Sequence, residues 1–158
     1  GGEPLLHASY LKKLLKSIKN KYNIKIFLET NGTLPDQLEK IIDLTDIISM
    51  DYKFESSTGS PTPEKKHQEF ILTSKKFKKE LFVKAVISNM ITDKEIHQFG
   101  KFINSFANEC KIILQPLTSK KSNLLISPIK LLNLQNTLFQ YSNNVLIIPQ
   151  VHKFINML

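Results

Sequence analysis

Arginine and tryptophan are absent from this 158-residue chain, and cysteine occurs once, at Cys110. Arg is the residue of choice for bidentate phosphate and base contacts. A net charge of +8 carried wholly by lysine therefore speaks weakly for nucleic acid. Lys12, Lys13, Lys16 and Lys19 fall on the outer side of one helical stretch. Lys75, Lys76, Lys78 and Lys79 close another, where cations suit the macrodipole. A single thiol excludes an intrachain disulfide, and Cys110, at the mouth of an apolar run, reads as an inert, half-buried side chain. No apolar run approaches the roughly 20 residues of a membrane span, and the N-terminus lacks the pattern of a secretory leader. The expectation is a cytoplasmic protein. With 41% hydrophobic residues, residues 1–158 suffice for one domain that buries roughly two thirds of its unfolded surface.

What is present is an alternation of short apolar runs with longer amphipathic ones, the mark of βα units. Residues 9–22 carry Leu11, Leu14, Leu15 and Ile18 at helical spacing. A strand over 24–29 follows, then a helix opened by Pro35 whose stripe is Leu38, Ile41 and Ile42, then a strand over 46–51. Residues 54–63, rich in Ser, Thr, Gly and Pro, read as a mobile loop. A helix over about 64–77 and a strand over 81–87 come next. Thr92 and Glu95 form a capping box for a helix to about residue 108. A strand over 111–115, a helix opened by Pro128 and a strand over 145–148 complete the pattern, before a tail over 149–158. Five strands with helical crossovers imply an α/β fold with a parallel sheet, either a barrel wall or doubly wound.

Ligands sit at the carboxyl ends of strands in both architectures. Polar residues stand there in each case: Glu29, Thr30 and Asn31; Asp51 and Lys53; Ser88 and Asn89; Gln115; Gln150 and His152. Turns alone account for Ser88 and Asn89. Glu29 is less easily explained, because a carboxylate that closes an apolar strand is desolvated unless paired. His7, His67 and His97 lie on helices or their edges and read as solvated.

Six segments, in order, resemble the 7-carboxy-7-deazaguanine synthase family of radical S-adenosylmethionine enzymes. They are Gly1-Gly2-Glu3-Pro4-Leu5-Leu6, Leu28-Glu29-Thr30-Asn31-Gly32-Thr33-Leu34, Asp46-Ile47-Ile48-Ser49-Met50-Asp51-Tyr52-Lys53, Phe82-Val83-Lys84, Leu114-Gln115-Pro116 and Ile148-Pro149-Gln150-Val151-His152-Lys153. The resemblance implies a partial (β/α) barrel of about five parallel strands. In the family, a [4Fe-4S] cluster cleaves S-adenosylmethionine reductively, and the radical formed rearranges 6-carboxy-5,6,7,8-tetrahydropterin to 7-carboxy-7-deazaguanine with Mg2+ assistance. That is a lyase of queuosine and deazapurine biosynthesis. It also implies an electron donor such as flavodoxin, a homodimer, and no membrane or nucleic-acid partner.

Carried onto this sequence, the resemblance assigns Gly1, Gly2 and Glu3 to the methionine ammonium of the cofactor, since carbonyls approached closely at glycine and a carboxylate accept its hydrogen bonds. A carboxylate in a helix first turn is the structural alternative for Glu3. Asp51 and Lys53 either contact the cofactor or pair with each other in solvent. Glu29, Thr30, Asn31, Gln115, Gln150 and His152 fall to the pterin, although Asn31-Gly32 also suits a turn with positive φ. Phe154, Ile155 and Leu158 line a lid over that pocket or simply dock the terminus.

The family's Cys-x3-Cys-x2-Cys loop has no counterpart, and one cysteine cannot replace three thiolates. The expectation is thus the C-terminal part of a longer enzyme, truncated at its N-terminus, without turnover on its own and with an exposed first strand that favours dimerisation. Two other readings remain: a fragment of a glycyl-radical activating enzyme, which shares Gly-Gly-Glu-Pro, and a non-catalytic nucleotide-binding module.

Overall fold

The computed structural model describes residues 2–119 and 123–151. Helices and strands alternate in the expected order: α1 (Ala8–Lys21), β1 (Phe27–Thr30), α2 (Pro35–Glu39), β2 (Ile47–Tyr52), α3 (Glu55–Thr58), α4 (Glu64–Lys76), β3 (Glu80–Ile87), α5 (Asp93–Phe106), β4 (Lys111–Pro116), α6 (Pro128–Leu138) and β5 (Val145–Ile147). Short 3₁₀ turns occupy Pro4–His7 and Ile42–Leu44. The five parallel strands form one sheet in the order β1-β2-β3-β4-β5. Because that order follows the chain without reversal, it has no topological switch point and is not doubly wound. Among the described residues no helix is long and apolar enough to cross a membrane.

The chain divides into two compact units. The first comprises Gly1–Asp51 and Pro63–Phe82. Its core holds Leu5, Leu28, Leu38, Ile41, Ile42, Ile48, Met50, Phe70 and Ile71, so the apolar stripe read after Pro35 is buried as expected. β1 pairs with β2 in parallel, Glu29 opposite Ser49 and Thr30 opposite Met50. β1 begins later than its apolar run because the Ile26 carbonyl already accepts from the Asp46 and Ile47 N–H groups. The Asp46 carboxylate receives the Ile26 N–H at 2.7 Å and pairs with Lys19 at 2.8 Å. Desolvation pushes its pKa up, yet those two bonds outweigh it and hold the carboxyl below the usual range.

The second unit comprises Tyr52–Thr62 and Val83–Leu158. β4 pairs with β5 in parallel, Ile113 opposite Leu146. Tyr52, Phe54, Phe99 and Phe102 form an aromatic cluster with ring centroids as close as 4.5 Å. Segment 54–63 is therefore better anchored than its composition suggested. Phe54 is fully buried, the Ser56 N–H donates to Glu95 Oε1 at 2.8 Å, and the Thr62 hydroxyl donates to the Lys53 carbonyl at 2.9 Å. Glu95 also closes the expected capping box with Thr92. Burial raises the Glu95 pKa, but bonds from Ser56 and Thr92 more than offset this and leave it lowered. On α5, a Cβ at Gly100 would meet Tyr141 Cδ2 at 2.2 Å, so only glycine admits the Tyr141 ring there. Cys110 is buried, as its position implied.

Candidate functional site

In the first unit, two motif segments far apart in sequence are tied together by one carboxylate. Glu3 caps the 3₁₀ turn by accepting the Leu5 N–H at 3.1 Å. The same Oε1 accepts the Thr30 hydroxyl at 2.7 Å, and Oε2 accepts the Asn31 N–H at 2.7 Å. A carboxylate offers about four acceptor positions. With three in use, Glu3 braces the turn and one acceptor position on Oε2 is left over. Gly2 is exposed, and a Cβ built there meets nothing within 4 Å, which leaves its backbone open to close approach. Gly1 lies outside the described residues.

The turn after β1 is fixed by its own polar groups. The buried Thr30 hydroxyl accepts the Gly32 N–H at 3.2 Å, while Asn31 Oδ1 accepts the Thr33 N–H at 3.0 Å and its hydroxyl at 2.6 Å. Gly32 has φ +67°, as the Asn-Gly reading required, and a Cβ there would meet Met50 Cγ at 2.3 Å. The Thr30 hydroxyl and the Asn31 Oδ1 assigned to substrate thus serve the turn itself.

Glu29 differs from its expected surroundings. Strand alternation puts it with Phe27 on the exposed side of β1, while Leu28 and Thr30 are buried. It needs no partner to escape a desolvation penalty, and that argument for a site falls away. The same alternation places half-buried Asp51 and buried Ser49 on the Glu29 face of the β1–β2 pair.

His67 was missed. Expected in solvent, it is 1% exposed, and its Nε2 lies 3.1 Å from the Asn31 carbonyl. Burial pushes its pKa down to about 4, only partly opposed by that bond. The signal was available: His67, Phe70, Ile71 and Ser74 are the buried residues of α4, at i, i+3, i+4 and i+7.

In the second unit, Gln115 is half-buried near the end of β4. Gln150 Oε1 accepts the Thr118 N–H at 2.9 Å, so Gln150 pins the chain that follows β5 to the chain that follows β4. Lys53 is exposed. Ser88 and Asn89 do open a turn, in which the Ser88 carbonyl accepts the Ile91 N–H, and Asn89 also ties it to a distant segment: its Oδ1 accepts the Ser127 N–H, its N–H donates to the Leu125 carbonyl, and its carbonyl takes Lys130 Nζ at 2.8 Å. His152, Phe154, Ile155 and Leu158 lie outside the described residues.

The residues present do not fit an iron-sulfur cluster. The sole thiol, Cys110, is buried, and no group of three His, Cys, Asp or Glu among the described residues can hold a metal ion.

No protein-family profile matches the chain. It is 34% identical to a 7-carboxy-7-deazaguanine synthase of Geobacter sulfurreducens, over 100% of this chain and 62% of that protein. A protein of the same name from Methanocaldococcus jannaschii is 27% identical, over 100% of this chain and 65% of its own length. A solved structure, a radical SAM methyltransferase from Sphaerobacter thermophilus, superposes with a TM-score of 0.72 at 12% identity, covering 99% of this chain and 51% of that one. The fold is therefore that of a radical SAM enzyme. The chain spans 62–65% of the length of these two relatives, and throughout its own length it is a homologue of 7-carboxy-7-deazaguanine synthases.

Proposed function

We propose that this chain supplies the cofactor and substrate side of a radical S-adenosylmethionine carbon-nitrogen lyase that converts 6-carboxy-5,6,7,8-tetrahydropterin to 7-carboxy-7-deazaguanine. One observation carries the reading. Glu3 of Gly-Gly-Glu-Pro holds Thr30 and Asn31 of Glu-Thr-Asn-Gly by two bonds of 2.7 Å, in a chain similar throughout to proteins named for that activity.

In this reading the backbone of Gly1 and Gly2 and the remaining acceptor position of Glu3 receive the methionine ammonium, while Asp51 and Lys53 serve the ribose or carboxylate. Bound S-adenosylmethionine supplies the group that abstracts hydrogen. Glu29 pairs with the guanidine-like N–H edge of the pterin, and Gln115, Gln150 and His152 complete its polar contacts. Asn31 adds its amide Nδ2. The Thr30 hydroxyl supports the turn. The [4Fe-4S] cluster and Mg2+ would be held by residues other than the described ones and would supply electron transfer and Lewis-acid assistance, with a flavodoxin-like protein as the partner that would donate electrons. β1 ends the sheet order, and an edge strand offers unpaired backbone groups to a second copy, which favours a homodimer. A cytoplasmic setting suits this chemistry.

Anaerobic calorimetry on the 158-residue chain tests the reading. Binding of both S-adenosylmethionine and the carboxytetrahydropterin, without product after treatment with iron and sulfide, is expected. Failure to bind either ligand overturns it. Reading the coding sequence upstream of Gly1 supplies a second check: Cys-x3-Cys-x2-Cys should appear within about 60 residues, the span of a few βα units.

A further inference from the structure

We propose that His67 is a positioning residue, which clamps the Asn31 peptide from beneath so that Glu29 is presented to ligand at a fixed angle. The inference rests on the pterin reading for the identity of that ligand, but the clamp stands on geometry alone. The Asn31 N–H is held by the Glu3 carboxylate at 2.7 Å and its carbonyl lies 3.1 Å from His67 Nε2. A carbonyl only accepts, so Nε2 carries the proton and the ring is the Nε2–H tautomer. The two peptide planes that flank the Asn31 Cα are thereby each held by a side chain, two residues beyond Glu29.

The turn also rests on the imidazole sterically. A Cβ at Gly32 would meet His67 Cδ2 at 3.3 Å, and the left-handed Gly32 lets the backbone settle onto the ring and Met50. A leucine at position 67 would satisfy the apolar stripe with Phe70 and Ile71 without desolvating a polar ring. A buried imidazole is destabilising unless hydrogen-bonded, so its presence here is explained by what it holds. Its lowered pKa, about 4, keeps the ring neutral at neutral pH, so one ring nitrogen carries a proton and the other does not.

Nitrogen-edited NMR of the labelled chain at neutral pH reads the tautomer directly. The Nε2–H form is expected, and the Nδ1–H form overturns the clamp. In His67→Leu, amide exchange at Asn31 should accelerate and pterin affinity should fall, each about five- to tenfold, the worth of one hydrogen bond. His67→Gln, whose amide can donate to the same carbonyl, should recover most of both. Phe70→Leu, on the same buried stripe of α4, should lower stability and leave pterin affinity unchanged. That separates positioning from mere folding. Equal pterin affinity in wild type and His67→Leu overturns the positioning role. If the wild type binds no pterin, the proposed function fails and takes the ligand half of this inference with it, while tautomer and exchange still decide the clamp. Should His67→Leu not fold, the wild-type tautomer and the Gln variant carry the test.

Discussion

The chain after β1 and the chain after β4 end in different ways. After β1, two buried or half-buried ionisable groups, Glu3 and His67, hold the successive peptides on either side of the Asn31 Cα, and a left-handed glycine leaves no room for a side chain. After β4, backbone bonds hold the chain, from the Leu117 N–H to the Ile87 carbonyl and from the Leu125 N–H to the Leu117 carbonyl, and its side-chain link to the chain beyond β5 runs from the Thr118 N–H to an uncharged Gln150 amide. Charge-assisted bonds are roughly twice as strong as neutral ones, and a buried group left unpaired is costly. The first turn therefore behaves as a rigid mount, and the Gln150 link as a light tether added to a backbone-bonded loop.

Four measurements sharpen that contrast. Acid should have the largest effect. His67 takes up its proton near 6.5 when unfolded and near 4 when folded. Between those values the unfolded chain binds more protons, so stability rises with pH and is lost as pH falls through this window, by about 3 kcal/mol in all. The lowered carboxyls of Asp46 and Glu95 act in the same direction at lower pH. Urea titrations across this range should show the slope flattened in His67→Gln, and an unaltered slope would mean that another group is responsible. Gly32→Ala comes next. Positive φ and the overlap with Met50 should lower stability by about 2–3 kcal/mol in the same titration.

Glu3→Ala strands a buried hydroxyl and two N–H groups and should lower stability by about 1–3 kcal/mol. Comparable exchange at Asn31 in this variant and in wild type would show that the grip is slack. Gln150→Ala, the smallest, should change the urea midpoint by no more than about 1 kcal/mol. A loss as large as that of Glu3→Ala would erase the distinction between mount and tether.

Local chemistry was legible wherever it decides structure by itself. Thr92 with Glu95, and Pro35 and Pro128 at the first helical turn, are backbone hydrogen-bond statements, and each holds. Short apolar runs located all five strands because strands bury apolar side chains; in β3 burial also alternates, with Leu81, Val83, Ala85 and Ile87 buried, whereas in β2 Ile48, Ser49 and Met50 are all buried. Tertiary capture was illegible. Phe54 stands alone among charged and small residues, and only the rings of Tyr52 and Phe99 make its segment part of a core. Among the candidate site residues, Glu3 was read toward the cofactor and Thr30 and Asn31 toward the substrate, and the bonds that join them were not foreseen. His67 was overlooked because a polar residue in an apolar stripe was taken for a surface one.

The commitment of the Asn31 N–H to Glu3 has a consequence for selectivity. That amide cannot also address a guest, so in the proposed pterin reading discrimination around this turn passes to side chains, chiefly the one at position 29. Scaffold and reading head are then separate parts. Exchanging Glu29 for another polar residue should retune which heterocycle is accepted while the frame beneath it stays as it is.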